Sequence, residues 1–147
     1  MIPTIRPARP SDIPALLGLM RKFCAYHDQP CETGLERLQL TLFDSGRVTA
    51  LIAETDRPIG YAALEWVWRP MDEHDGLDIA QLYVVDHWRS KGVGRALIGA
   101  AATVARQASA SQLTIASSAQ NPGAAAAYRA MGLTERPAPG AGFRVAL

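Results

Sequence analysis

One stretch constrains this chain more than any other: Leu82-Tyr-Val-Val-Asp-His-Trp-Arg-Ser-Lys-Gly-Val-Gly-Arg-Ala-Leu97, in which a strand pattern passes through a basic, glycine-containing turn into a helical pattern. Together with the alternation of strand and helix patterns elsewhere, it points to an α/β architecture. The turn is also an anion cradle. N–H groups at a helix start have no partner inside the helix, the helix dipole adds partial positive charge, and glycines let a phosphate approach the backbone. Arg89, Lys91 and Arg95 surround it with three basic side chains. A diphosphate fits such a turn better than a single carboxylate does.

Other chemistries fail on the letters. Nothing matches G-x-x-x-x-G-K-[ST], and a dinucleotide fingerprint needs a third glycine where Leu97 stands. No G-x-S-x-G elbow is present. His27, His74 and His87 lack metal-ligand spacing, so no metal is expected. Cys24 and Cys31 match neither a redox C-x-x-C nor a zinc pair and are read as small buried hydrophobes. With 15 basic and 14 acidic residues the net charge is +1, which argues against a nucleic-acid partner. No run approaches the roughly 18 apolar residues of a membrane helix. Met1 to Ser11 carries three prolines and two arginines in place of an apolar signal core. The reading is a single cytoplasmic domain over residues 1–147.

Local patterns fill in the rest. Thr4 to Ala8 reads as a strand, and Ser11 and Asp12 offer N-cap oxygens to a helix from Ile13 to about Tyr26. Leu35, Leu38, Leu42 and Phe43 predict a second helix, closed by Asp44-Ser45-Gly46. Strands follow at Val48 to Glu54, Ile59 to Trp68 and Leu77 to Val85. A helix from Val93 to about Gln107, a strand from Leu113 to Ser117 and a short helix from Pro122 to Met131 come next. Gly132 stops that helix, and Leu133 to Glu135 with Phe143 to Leu147 make a last strand pair around a Pro/Gly turn. This order predicts an α/β sandwich: a central mixed, mostly antiparallel sheet of six to seven strands flanked by about four helices.

Three segments together resemble a family. Arg89-Ser-Lys-Gly-Val-Gly94 is similar to the R/Q-x-x-G-x-G/A signature of the GNAT N-acetyltransferase superfamily. Asn121-Pro-Gly-Ala-Ala-Ala-Ala-Tyr-Arg-Ala-Met-Gly-Leu133 resembles its N-x-x-A-x-x-x-Y-x-x-x-G-F segment, with leucine in place of phenylalanine. Ile5-Arg-Pro-Ala with Ser-Asp-Ile-Pro resembles the family opening. The resemblance implies acetyl-CoA as co-substrate, no metal, and direct transfer to a primary amine in a ternary complex. It places the pyrophosphate on Arg89, Ser90, Lys91, Gly92, Val93, Gly94 and Arg95. It also implies a bulge in the preceding strand, with pantetheine added beside Leu82, Tyr83 and Val84; Leu82 and Val84 supply backbone partners, and the amide near Leu82 is the oxyanion donor.

Tyr128 matches the family tyrosine that protonates the departing thiolate, a role its phenol suits with an ordinary pKa of about 10. Asn121 either holds pantetheine or caps the helix before Pro122. Many relatives carry a glutamate base where this chain has Ala80, so the base is either Asp78 or Glu65, Asp78 acting through water. Plain strand alternation puts Asp78, Ala80, Leu82 and Val84 on one face.

Asp72, Glu73, His74 and Asp75 with Asp78 either steer a cationic amine or are simply solvated. Trp66 and Trp68 either wall the acceptor site or pack elsewhere. The layout from Tyr61 through these tryptophans to Trp88 loosely resembles the small-amine and polyamine (diamine) branch. Alternatives are a protein lysine or N-terminal acetyltransferase, and an acyl-CoA-binding sensor without activity, which Ala80 would suit. A homodimer is implied by the sheet edges of such folds.

Overall fold

The computed structural model describes residues 1–117, 121–137 and 140–147. It divides into two compact units, Met1–Ala116 and Ser117–Leu147. The first holds a five-stranded sheet in chain order: β1 (Thr4–Pro7), β2 (Val48–Glu54), β3 (Pro58–Val67), β4 (Gly76–Val84) and β5 (Leu113–Ile115). The first three pairings are antiparallel and β4 to β5 is parallel. The parallel pair follows from the crossover, because α3 (Val93–Gln107) carries the chain back to the starting end of β4.

Every residue of β3 from Ile59 to Leu64 is buried, so both sheet faces are covered. Helix α1 (Ile13–Tyr26) covers the face of Tyr61 and Tyr83: Phe23 meets Tyr61 edge-on at 6.4 Å between ring centroids, and Tyr26 meets Tyr83 at 6.5 Å. That leaves α3, which buries Val93, Leu97, Ile98, Ala101 and Ala105, to cover the face of Ala62 and Leu64. Gly60 lets β3 and β4 approach, since a Cβ there would lie 2.7 Å from the Tyr83 carbonyl oxygen. Helix α2 (Leu35–Gln39) runs on into one π-helical turn at Leu40–Asp44 and buries Leu38 and Leu42. Cys24 and Cys31 are half-buried free thiols, and desolvation together with the Cys31 sulfur raises the Cys24 pKa above its ordinary value.

Asp12 does not cap α1 by its side chain. A 3-10 turn at Pro10–Asp12 precedes the helix, and the carboxylate reaches back to accept the Arg9 N–H at 2.7 Å. The same carboxylate takes both terminal nitrogens of Arg6 at 2.7 and 2.8 Å, while Arg6 Nε donates to Glu54 at 2.7 Å. Arg6 thus ties β1 to the start of α1 and to the end of β2. Arg6, followed by the Arg9 amide, holds the Asp12 pKa down at about 2 against burial that raises it. The folded pKa lies below the ordinary value of 3.8. The contribution, about 2 kcal/mol, is therefore complete above pH ~4 and lost as pH falls toward ~2. Urea melts from pH 7 to pH 2 are expected to show this decline in the native protein and a flatter profile across that window in Asp12→Asn.

In the second unit α4 (Pro122–Ala130) starts at Asn121, whose Oδ1 accepts the Ala124 N–H at 3.2 Å. Gly132 ends it at φ +86°, with the Leu133 N–H bonded to the Tyr128 carbonyl at 3.1 Å. The expected last strand pair is not formed. The Leu133 amide serves this helix end, and Glu135 is tied to Arg129 at 3.0 and 3.1 Å. Phe143, Val145 and Leu147 alternate as a strand would, yet are 95%, 78% and 116% exposed, and without a pairing partner the pattern makes no strand. Ala138 and Pro139, in the turn expected between them, lie outside the described residues. The sheet therefore has five strands, not six to seven, among the described residues. Among those residues no helix is long and apolar enough to cross a membrane.

Candidate acetyl-CoA and acceptor site

The site begins with a misfit between two strands. In the β3–β4 register Ala63 pairs with Gln81 while Leu64 pairs with Ile79, so Ala80 is the extra residue of a β-bulge. The bulge overturns the alternation expected from the letters. Glu65 pairs with Asp78, Tyr61 with Tyr83, and Ala62 with Leu82. Asp78, Gln81 and Tyr83 therefore share the α1 face with Glu65 and Tyr61, whereas Leu82 and Val84 look toward the α3 face. One inserted residue reverses every side chain beyond it.

The bulge also opens an edge. β5 pairs with β4 only at Leu77, Asp78 and Ile79, so from Ala80 to Val84 that side of β4 has no strand partner among the described residues. The Val85 N–H donates to the Ile59 carbonyl at 2.9 Å, so Tyr83, two residues earlier, also turns its backbone toward β3. Leu82 and Val84 turn theirs to the open side. The Val84 carbonyl confirms the direction by accepting Arg89 Nε at 2.8 Å. The two expected backbone partners, Leu82 and Val84, present groups at the open edge; Tyr83 between them turns its backbone to β3, and its buried ring packs against Tyr26.

A 3-10 turn at Asp86–Trp88 leads from this edge into the cradle. Ser90 and Gly92 both have left-handed backbone, φ +59° and +87°, which folds the chain sharply before α3. The first helical bond runs from the Ala96 N–H to the Gly92 carbonyl at 3.0 Å. The amides of Val93, Gly94 and Arg95 precede it and have no acceptor within the helix. Val93 is buried and anchors the turn, while Ser90, Lys91, Gly92 and Arg95 are exposed. A Cβ on Gly94 would meet nothing within 4 Å.

The basic side chains divide their work. Arg89 bonds the Val84 carbonyl, pairs with Asp86 at 2.7 Å, and lies over the Tyr26 ring at 4.6 Å and the Tyr83 ring at 5.3 Å. It clamps the end of β4 to the end of α1. Lys91 lies over Trp88 at 5.4 Å, and Arg95 stands exposed on the first turn of α3. A cleft of about 820 Å³, lined among others by Lys22, Tyr26, Arg57, Tyr83 and Trp88, opens beside the clamp. It is lined by Tyr83 of β4 and by Val85 just beyond it, but not by Ala80 or Gln81 of the bulge.

The two candidate bases face each other across β3 and β4. Asp78 is half-buried and accepts the Thr114 hydroxyl; Glu65 is exposed. In the acidic loop Asp72 pairs with Arg69, whose hydrogen bond lowers its pKa. Trp66 and Trp68 are 41% and 78% exposed. Burial raises the Tyr128 phenol above its ordinary pKa. Letters alone missed Gln81, whose Oε1 accepts the hydroxyl of Tyr61 at 2.8 Å. The implied bulge was the signal: applied to the strand, it moves Gln81 onto the face of Asp78.

Comparison with known proteins agrees with this geometry. Residues 15–133 match the family model described as acetyltransferase (GNAT) family. An aminoglycoside N(6')-acetyltransferase type 1 of Stenotrophomonas maltophilia is 31% identical over 137 residues, 90% of this chain and 87% of that protein. The structure of AAC(6')-Iy in complex with the bisubstrate analog CoA-S-monomethyl-acetylneamine superposes with a TM-score of 0.82 at 17% identity, covering 99% of this chain and all of that one. The ribosomal-protein-alanine N-acetyltransferase of Brucella melitensis biovar Abortus 2308 superposes at 0.79 and 18% identity, covering 99% of this chain and 100% of its own. With a bulged strand, an open edge and a cradle in series, and a family match over most of its length, this chain belongs to the GNAT family of acetyltransferases.

Proposed function

We propose that this enzyme transfers the acetyl group of acetyl-CoA to a primary amine of a small molecule, by direct attack in a ternary complex, with the whole chain acting as one domain. The observation that carries the reading is the continuous run from the open β4 edge to the free amides of the α3 turn. Pantetheine adds to that edge through Leu82 and Val84, and the diphosphate lies on the backbone from Ser90 to Arg95, with Lys91 and Arg95 adding charge. No metal is assigned a part. The Leu82 N–H donates to the thioester oxygen as it gains negative charge.

The amine nitrogen bonds to the carbonyl carbon, its proton passes through water to Asp78 or Glu65, and the C–S bond breaks. Tyr128 donates its proton to the leaving thiolate, and Asn121 steadies pantetheine by its carboxamide or acts as the cap of α4. The amino groups of an aminoglycoside are one acceptor class that the Stenotrophomonas relative supports. The reading places the enzyme in the cytoplasm as a homodimer, the outer edges of β1 and β5, which have no strand partner among the described residues, being the surfaces available for pairing.

Release of CoA measured against a panel of polyamines, amino sugars and peptides tests the proposal. Turnover of free amines is expected. Turnover of peptides alone would instead identify a protein acetyltransferase, and tight acetyl-CoA binding with no turnover would identify a sensor, for which Ala80 in place of a glutamate is the supporting observation.

A further inference from the structure

We propose that Gln81 is a specificity-determining residue whose carboxamide N–H group recognises a hydroxyl oxygen beside the amine of the acceptor. The inference rests on the reading above, that a free amine attacks next to Leu82. The Ala80 bulge puts Ala80 and Gln81 together opposite Ala63 and turns the Gln81 side chain onto the α1 face with Asp78 and Glu65. Gln81 directly precedes the residue whose amide is assigned to the thioester oxygen, so its side chain stands beside the reacting centre.

The orientation of the carboxamide is fixed by a neighbour. Tyr61 is fully buried, and its hydroxyl donates to Gln81 Oε1 at 2.8 Å. Burial holds that phenol protonated, so it has a proton to donate and needs an acceptor. With Oε1 taken by Tyr61, Nε2 is turned the other way. Among the described residues Nε2 has no hydrogen-bond partner and is not a buried atom left without one, so its donor is available to a ligand on the face that Gln81 shares with Asp78 and Glu65.

An NH2 group donates only. It cannot bind an ammonium ion, which also only donates, but it can bind an oxygen lone pair. A site that holds a donor in place favours an amine carrying a neighbouring hydroxyl over an alkylamine of the same shape, because the alkylamine would leave that donor stripped of water and unpaired. Alkyl diamines would therefore be the poorer acceptors.

The test compares methyl 6-amino-6-deoxyglucoside with cyclohexylmethylamine, which present the same aminomethyl group on a six-membered ring with and without oxygens. The native enzyme is expected to favour the amino sugar in kcat/KM by at least about tenfold, the discrimination a hydrogen-bonding site provides. Gln81→Leu is expected to reduce that ratio about tenfold, chiefly through KM for the sugar. Tyr61→Phe keeps the ring but releases the carboxamide to rotate, and should lower the ratio about threefold, which keeps the inference testable if Gln81→Leu fails to fold. A native enzyme that turns over both amines without preference, or a ratio unmoved in the variants, overturns the role of Gln81 and leaves the acetyltransferase reading standing. Turnover of neither amine, nor of any free amine, overturns both.

Discussion

Gly94→Asp is expected to weaken acetyl-CoA binding about a hundredfold while making the fold slightly more stable. The two effects have opposite signs for one reason, the positive potential at the start of α3. A Cβ on Gly94 meets no atom within 4 Å, so the side chain enters open space without disturbing the core. Replacing a helical glycine removes a propensity cost, and a carboxylate in the first turn gains about 0.3–1 kcal/mol from the helix dipole. The same carboxylate would stand within about 5 Å of the diphosphate. Like charges at that distance and an effective dielectric near 20 repel by about 3 kcal/mol, roughly two orders of magnitude in affinity. Calorimetric titration with acetyl-CoA alongside a thermal melt reads both quantities. A variant that binds like the native protein would remove the turn from the cofactor site.

Tyr128→Phe should lower kcat by about 10²–10⁴, the range of a positioned general acid, with acetyl-CoA affinity changed by less than about twofold. The substitution deletes one hydroxyl and keeps the ring. Burial raises the phenol above its ordinary pKa, so the group stays protonated through neutral and mildly alkaline pH. Its ionisation therefore contributes no loss of rate at neutral pH. Rapid-quench measurement of a single turnover separates the chemical step from CoA release. An unaltered rate of the chemical step would take Tyr128 out of the mechanism.

The parts of this site that could be read from letters are local ones. Asp86 to Leu97 announces its turn and helix because glycine, basic residues and apolar spacing act over a few neighbouring positions. The clamp at Arg89 could not be read in the same way. Its charge looked available to phosphate, but Tyr26 comes from α1 and Val84 from β4, and only the packed sheet brings them to it. Asp78 shows a second kind of limit. Its identity as a candidate base was visible, whereas its neighbours depended on register, and the Ala80 bulge exchanged Leu82 and Val84 for Gln81 and Tyr83 on its face.

The last strands failed for a related reason. Phe143, Val145 and Leu147 have the right period, but a strand exists only where another chain segment offers its backbone groups.

By itself, the order of residues determined the α/β class, the main helices and strands, and the cradle where β4 turns into α3, because each depends on periodicity, turn chemistry or helix-end polarity within a short span. Tertiary structure alone decided which edge of β4 stays open, which face Asp78 and Gln81 share, and where the Arg89 charge is directed. Those outcomes follow from pairing and packing between segments tens of residues apart, which no local pattern encodes.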